Sequence, residues 1–123
     1  FSHNVECVER ISKAVRTQAN WQRSLDVLKF SVDSGLRTKT GMMVGLGETY
    51  DEVLSTMRQV VDLGVKVFTI GQYLQPTKDH LPVDRYVDDQ EFSDYEKIGL
   101  EFGFEIVKSG SLVRSSYRAD ECA

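Results

Sequence analysis

Apolar residues recur every three or four positions in four segments of the chain, the spacing of one buried helix face. The predicted helices cover residues 5–16, 21–34, 50–63 and 90–102. Residues that favour a helix N-terminus precede three of them. Asn4 and Asn20 can cap the first two helices, and Thr49-x-x-Glu52 matches a capping box before the third. A glycine follows each of the last three segments, as is common after a helix C-terminus.

Three shorter apolar runs lie between or after these helices and predict strands. They cover residues 38–44, 65–70 and 104–107, and the second is rich in β-branched and aromatic side chains. Strand, glycine turn, helix and strand form a βαβ unit, whose strands are parallel and whose crossover is right-handed. The sequence therefore predicts an α/β fold.

Parallel α/β sheets bind ligands in the loops that follow the carboxyl ends of their strands. Those loops are residues 45–49, 71–80 and 109–117, and the second belongs to a long irregular segment, 71–89, that holds both prolines. We divide the chain into a domain of strands and helices, residues 1–108, and a polar tail, residues 109–123.

Charge and cysteine content exclude several classes of function. Fifteen basic and 19 acidic residues give a net charge of −4, and the basic residues are scattered, which argues against a nucleic-acid partner. Cys7 and Cys122 lie at opposite ends of the chain, so neither a disulfide framework nor a C-x-x-C motif is present. No apolar run is long enough for a bilayer. These features favour a cytoplasmic protein without a membrane partner.

The common short motifs of nucleotide and hydrolase sites fail on this sequence. No Lys follows Gly45 or Gly47, as a phosphate-binding loop requires, and Tyr50 stands where a dinucleotide fingerprint has its third glycine. No Ser lies in a G-x-S-x-G elbow. His3 and His80 are too far apart in sequence to indicate a metal site. Composition and spacing thus lead only to an α/β domain with functional loops.

Longer strings identify a family. Residues 41–48, GMMVGLGE, resemble the G-x-I-x-G-x-x-E motif of radical S-adenosylmethionine enzymes, with Met43 in place of Ile. HNVE at 3–6, GQYLQP at 71–76, HLP at 80–82, RY at 85–86 and RSSY at 114–117 resemble lipoyl synthases in the same order and at similar spacing. The resemblance covers essentially the whole chain.

This resemblance implies an enzyme that inserts two sulfur atoms, at C6 and C8, into an octanoyl group bound to a lysine of a carrier protein. The cofactors it implies are S-adenosylmethionine and two [4Fe-4S] clusters, one of which is consumed as the sulfur donor. The partners it implies are octanoylated lipoyl carrier domains or H protein, and an electron donor such as ferredoxin or flavodoxin.

The sequence departs from the family in one respect. Neither of the family's cluster-binding cysteine motifs is present, and the two cysteines here cannot replace six ligands. The family's motifs lie upstream of the segment that this chain resembles. We therefore expect the chain to be the C-terminal part of an incomplete (β/α)6 radical S-adenosylmethionine barrel, inactive as an isolated fragment.

The resemblance also implies the candidate site residues. Met43, Gly45 and Gly47 correspond to the strand end that approaches the adenine, where glycine permits close approach. Asn4 and Glu6 correspond to residues at the exit of a preceding strand that bind the ribose or methionine part of the cofactor.

One metal ligand follows from the same resemblance, in the tail. Ser116, rather than the adjacent Ser115, corresponds to the non-cysteine ligand of the sacrificial cluster. In a protein of unknown family, such a Ser-Ser pair would simply form a turn that bonds its own backbone.

Three further polar residues have structural interpretations. Glu48 is expected to stabilise a helix N-terminus rather than to transfer protons. Gln72 and Gln75 either face the ligand site or satisfy loop backbone groups.

Two alternatives stay open at this point. One is a radical S-adenosylmethionine enzyme with another substrate, against which the RSSY string argues. The other is a small non-enzymatic α/β binding module, which should cover the edge strands that a partial barrel exposes.

Overall fold

The computed structural model of the chain describes residues 3–5, 7–11 and 18–113, and within these it leaves out the side chains of residues 18–20. Its elements are α1 (Gln18–Asp33), β1 (Lys39–Val44), α2 (Tyr50–Asp62), β2 (Val67–Gln72), α3 (Asp89–Phe102) and β3 (Ile106–Gly110). Residues 9–11 are helical as well. Helices and strands alternate along the described chain, which confirms the predicted α/β class.

The three strands form one parallel sheet in the order β1-β2-β3. Lys39 lies opposite Val67, and Val67 lies opposite Ile106, so the strands start at the same end of the sheet. Their carboxyl ends therefore share one edge, which brings together the loops that follow β1 and β2.

The two faces of this sheet differ in composition because side chains alternate along each strand. One face, here called the helix-covered face, carries Thr40, Met42, Val44, Phe68, Ile70, Gln72, Val107 and Ser109. It packs on α3 and the turn beyond it: the rings of Phe68 and Phe104 lie 5.2 Å apart, and Ser109 Oγ donates to the Phe92 carbonyl at 2.7 Å.

The opposite face, here called the small-residue face, carries Lys39, Gly41, Met43, Val67, Thr69, Gly71, Ile106, Lys108 and Gly110. At its centre it is buried, as at Met43 and Thr69, whereas Ile106 is exposed at the amino end of β3. Three of its nine positions are glycines, which lie at its centre and at its carboxyl end.

The first predicted helix begins later than expected, and the prediction that Asn4 caps it is wrong. Residues 3–5 are not helical, and the described helical residues start at Glu9. The His3 amide donates to the Lys39 carbonyl at 3.1 Å, and the Val5 amide donates to Thr40 Oγ1 at 3.1 Å. Because β1 takes these donors, the segment runs along its edge instead of coiling, and Asn4 is buried there.

Two predicted strands are displaced by about two residues. β2 and β3 were expected at 65–70 and 104–107, but they begin at Val67 and Ile106. Val65 and Phe104 are buried all the same, because the turns that precede these strands also pack into the core. β3 continues to Gly110, so Ser109 and Gly110 belong to the sheet and not to an irregular tail.

Candidate functional site

The turn after β1 is built around a buried carboxylate. Glu48, 5% exposed, accepts hydrogen bonds of 3.0 Å from the amides of Gly45 and Leu46. Burial raises the pKa of Glu48, while these amides and the positive charge of Arg85 oppose the shift. The expectation that Glu48 serves the helix N-terminus is thus wrong, because its carboxylate binds amides that precede it. With those donors taken, the turn cannot bind a phosphate through them.

The N-terminus of α2 is stabilised by the predicted capping box. Thr49 Oγ1 accepts from the Glu52 amide at 3.1 Å, and the Glu52 carboxylate accepts from the Thr49 amide at 2.9 Å. Arg10 binds the Glu52 carboxylate in a bidentate manner, donating to its two oxygens at 2.8 and 2.9 Å. It also donates to the Gly47 carbonyl at 2.8 Å. The Arg10 bond is the main reason why the pKa of Glu52 falls to about 2.

The two glycines of this turn have different surroundings, although both have a positive φ, 99° at Gly45 and 113° at Gly47. A Cβ on Gly45 would collide with the Gln72 side-chain amide and lie 2.6 Å from the Arg85 carbonyl. A Cβ on Gly47 would meet nothing closer than 3.9 Å. Protein atoms therefore occupy the space beside Gly45, whereas space stays open beside Gly47.

Gln72, at the end of β2, fixes the loop that follows. Its buried amide nitrogen donates to the carbonyls of Tyr73 and Arg85 at 3.0 and 3.1 Å, and its oxygen accepts from the Val87 amide at 2.8 Å. The interpretation of Gln72 as a residue that satisfies loop backbone groups is confirmed. Gln75 is exposed and donates to the His80 carbonyl at 2.8 Å.

An ion pair joins this loop to α3. Arg85 donates to both oxygens of Glu91, at 3.0 and 2.6 Å, and the Tyr95 hydroxyl donates to the same carboxylate. Burial, followed by the bond to Glu91, raises the pKa of Tyr95. Its ring stacks on Tyr50 with centroids 5.4 Å apart. The spacing of apolar residues predicts only a helix over 90–102, so sequence reasoning missed this group.

The predicted site residues fall into two groups. Asn4, Met43, Gly45 and Gly47 lie along β1 and the turn after it. Glu6 and Ser116 lie outside the described residues. Within the described ranges, no three His, Cys, Asp or Glu side chains come together as a metal site requires.

The two histidines each contact a hydroxyl group. The half-buried His3 ring lies 3.2 Å from Ser24 Oγ, and His80 Nδ1 lies 2.7 Å from Thr77 Oγ1. His3 therefore contacts α1, whereas His80 bonds within its own loop.

Curated proteins named lipoyl synthase are similar to almost the whole chain. Those of Rubrobacter xylanophilus and Flavobacterium johnsoniae are each 54% identical over 98% of this chain, covering 38% and 42% of their own lengths. A mitochondrial lipoyl synthase from Nematostella vectensis is 50% identical over the same share of the chain. The chain thus spans about two fifths of the length of these homologues.

The other comparisons add little. No protein-family model matches the chain. A solved HMG-CoA lyase from Brucella melitensis is 16% identical, with a TM-score of 0.45 over 94% of this chain and 51% of the lyase. No helix in the described part of the chain combines the length and apolar character needed to cross a bilayer.

Proposed function

We propose that this chain is the C-terminal part of a lipoyl synthase and supplies the later strands and helices of an incomplete (β/α)6 barrel. The observation that carries the proposal is the identity of 50–54% to lipoyl synthases over 98% of the chain. The alternation of parallel strands and helices supports the barrel, because α2 connects β1 to β2 and α3 connects β2 to β3, which are neighbours in the sheet as barrel topology requires.

The proposed activity of the whole enzyme is insertion of sulfur at C6 and C8 of an octanoyl group attached to a carrier lysine. When bound, S-adenosylmethionine and the two [4Fe-4S] clusters supply the radical chemistry and the sulfur. This chain contributes one side of the barrel. Glu48 holds the turn after β1 through hydrogen bonds, and Gln72 holds the loop after β2 against that turn.

In this proposal S-adenosylmethionine contacts the carboxyl edge of the sheet. Gly47 suits close approach better than Gly45, because the space that Gly45 leaves is filled by Gln72 and Arg85. Met43 packs below the turn, on the small-residue face. Asn4, buried beside β1, completes the proposed contacts together with Glu6, which lies outside the described residues.

Ser116 is the proposed ligand of the sacrificial cluster. A serine oxygen is a poorer ligand for iron than a thiolate, and it must lose a proton to bind. Such a labile ligand suits a cluster that has to be opened when its sulfides are given up. Octanoylated carrier domains or H protein are the proposed substrates, ferredoxin or flavodoxin the proposed electron donor, and the cytoplasm the proposed location.

The test uses the protein encoded by the complete reading frame that contains this sequence, reconstituted with iron and sulfide under anaerobic conditions. We expect it to form lipoyl groups on an octanoylated carrier, and Ser116→Ala to abolish sulfur insertion while Ser115→Ala retains it. The opposite result would show that Ser115, and not Ser116, is the cluster ligand. A reconstituted protein that forms no lipoyl product would refute the proposed function. The 123-residue chain alone should show no [4Fe-4S] cluster by Mössbauer spectroscopy.

A further inference from the structure

A cluster of three polar side chains joins the loop between β2 and α3, residues 73–88, to α3 itself. Arg85 donates to both oxygens of Glu91, at 3.0 and 2.6 Å, and the Tyr95 hydroxyl donates to the same carboxylate. The bond to Arg85 is the main reason why the pKa of Glu91 is lowered, so this carboxylate is charged at neutral pH. A bidentate pair with a third donor restricts its members more than a typical surface ion pair does.

The same cluster is attached to the start of α2. Tyr95 is fully buried, and its ring stacks on that of Tyr50 with centroids 5.4 Å apart. Tyr50 is the first residue of α2 and directly follows the turn after β1. Two helices therefore hold Glu91 and Tyr95 in place, and Arg85 is the member of the cluster that comes from a loop.

The backbone around Arg85 contacts the turn after β1 and the end of β2. The Asp84 amide donates to the Gly45 carbonyl at 2.8 Å. The Arg85 carbonyl accepts from the Gln72 side-chain nitrogen at 3.1 Å, and the Val87 amide donates to the Gln72 side-chain oxygen at 2.8 Å. Residues 84–87 thus lie across the carboxyl ends of both strands.

We propose that Arg85 is a positioning residue, which sets the geometry of the turn after β1 through the backbone of residues 84–87. A loop that holds no helix or strand of its own depends on tertiary contacts for a fixed position. Glu91 and Tyr95 supply these contacts at the Arg85 side chain, and the neighbouring backbone transmits them to Gly45. The inference rests on the proposed function, under which S-adenosylmethionine contacts this edge of the sheet.

The experiment reverses the charge of Arg85 in the complete, reconstituted protein. Arg85→Glu places a second carboxylate beside Glu91 and should release residues 84–87. Hydrogen–deuterium exchange of the Asp84 and Val87 amides, followed by mass spectrometry, should become about tenfold faster. Calorimetric titration should show an affinity for S-adenosylmethionine about three- to tenfold weaker, because only molecules with an ordered turn bind it tightly. The double variant Arg85→Glu/Glu91→Arg restores an ion pair and should recover both properties.

Two further variants complete the test. Arg37→Glu is the matched control, because Arg37 pairs with Glu105 at 3.0 Å at the amino end of the sheet. It should leave the exchange of the Asp84 amide and the affinity at wild-type values. Tyr95→Phe keeps the ring beside Tyr50 but removes the hydroxyl, and it should accelerate the exchange of the same amides to a smaller extent. It provides the readout should Arg85→Glu fail to fold.

Each outcome decides one part of the inference. Unchanged exchange in Arg85→Glu and Tyr95→Phe would overturn it, because the cluster would not hold residues 84–87. Faster exchange with unchanged affinity would show that the cluster only stabilises the loop, which also overturns it. So would a double variant that stays as weak as Arg85→Glu, or an equal loss of affinity in Arg37→Glu. A wild-type protein that does not bind S-adenosylmethionine would instead refute the proposed function, and with it this role of Arg85.

Discussion

The two faces of the sheet use the same three strands in different ways. The helix-covered face presents apolar side chains such as Phe68, which packs on Phe104 just beyond α3, and Val107, which lies against Gly99 of α3. The small-residue face presents glycines at three of its nine positions and the hydroxyl of Thr69, which has no hydrogen-bond partner among the described residues. Large side chains fill the first face, whereas on the second the Thr69 side chain lies directly against the Gly41 backbone. The two faces should therefore respond to opposite changes, the first to lost side-chain volume and the second to added volume.

The largest expected effect lies on the helix-covered face. Phe68→Ala should lower the free energy of unfolding of the chain by about 3–5 kcal/mol, because a fully buried ring is replaced by a cavity. The measurement is urea denaturation followed by circular dichroism. Ile106→Ala on the other face, where the side chain is 41% exposed, is the matched control and should cost about 1 kcal/mol or less. Equal losses for the two variants would contradict the proposed contrast.

A smaller effect is expected at the centre of the small-residue face. Gly41→Ala should lower the free energy of unfolding by about 1–3 kcal/mol, since the new Cβ would collide with Thr69 Oγ1 and lie 3.2 Å from the Thr69 carbonyl oxygen. Thr69→Ala removes the hydroxyl, so the double variant should be more stable than Gly41→Ala alone. The same urea denaturation gives the coupling energy of this cycle. Strictly additive effects would show that the two residues do not compete for space.

The smallest expected effect concerns a carboxylate outside both faces of the sheet. None of the three strands carries a carboxylate, and Glu52 lies in α2. The pKa of Glu52 is lowered from 4.5 to about 2 in the folded chain. The contribution of the ionised Glu52 to the free energy of unfolding is therefore fully present above about pH 4.5 and lost as the pH falls through 2. Unfolding free energies between pH 2 and 5 should fall less steeply for Glu52→Gln than for wild type. Exposed Glu101→Gln serves as the control, and a wild-type slope in Glu52→Gln would exclude this origin.

Local patterns determined most of the secondary structure. The capping box at Thr49 and Glu52 predicted the start of α2 correctly, because both hydrogen bonds join residues three apart. Gly103, predicted to end the last helix, occupies its C-cap with a φ of 122°. The family resemblance, too, depended on strings of adjacent residues.

Tertiary structure decided the features that depend on residues far apart in the chain. Asn4 is a good cap by type, yet the neighbouring amides of His3 and Val5 bond β1 more than 30 residues away. Val65 and Phe104 are buried apolar residues, as many strand residues are. Only the pairing with the neighbouring strand shows that β2 begins at Val67 and β3 at Ile106.

The candidate site shows the same division. The sequence alone located the Gly45–Glu48 turn and the loop after β2, since both follow apolar runs. It could not reveal that Glu48 binds amides that precede it, that Gln72 fills the space beside Gly45, or that Thr69 faces Gly41. The last two facts depend on the strand register, which brings residues about 28 positions apart into contact and is not encoded in any short segment. The Glu48 bonds are local, but the positive φ of Gly45 that turns these amides back towards the carboxylate is not visible in the sequence.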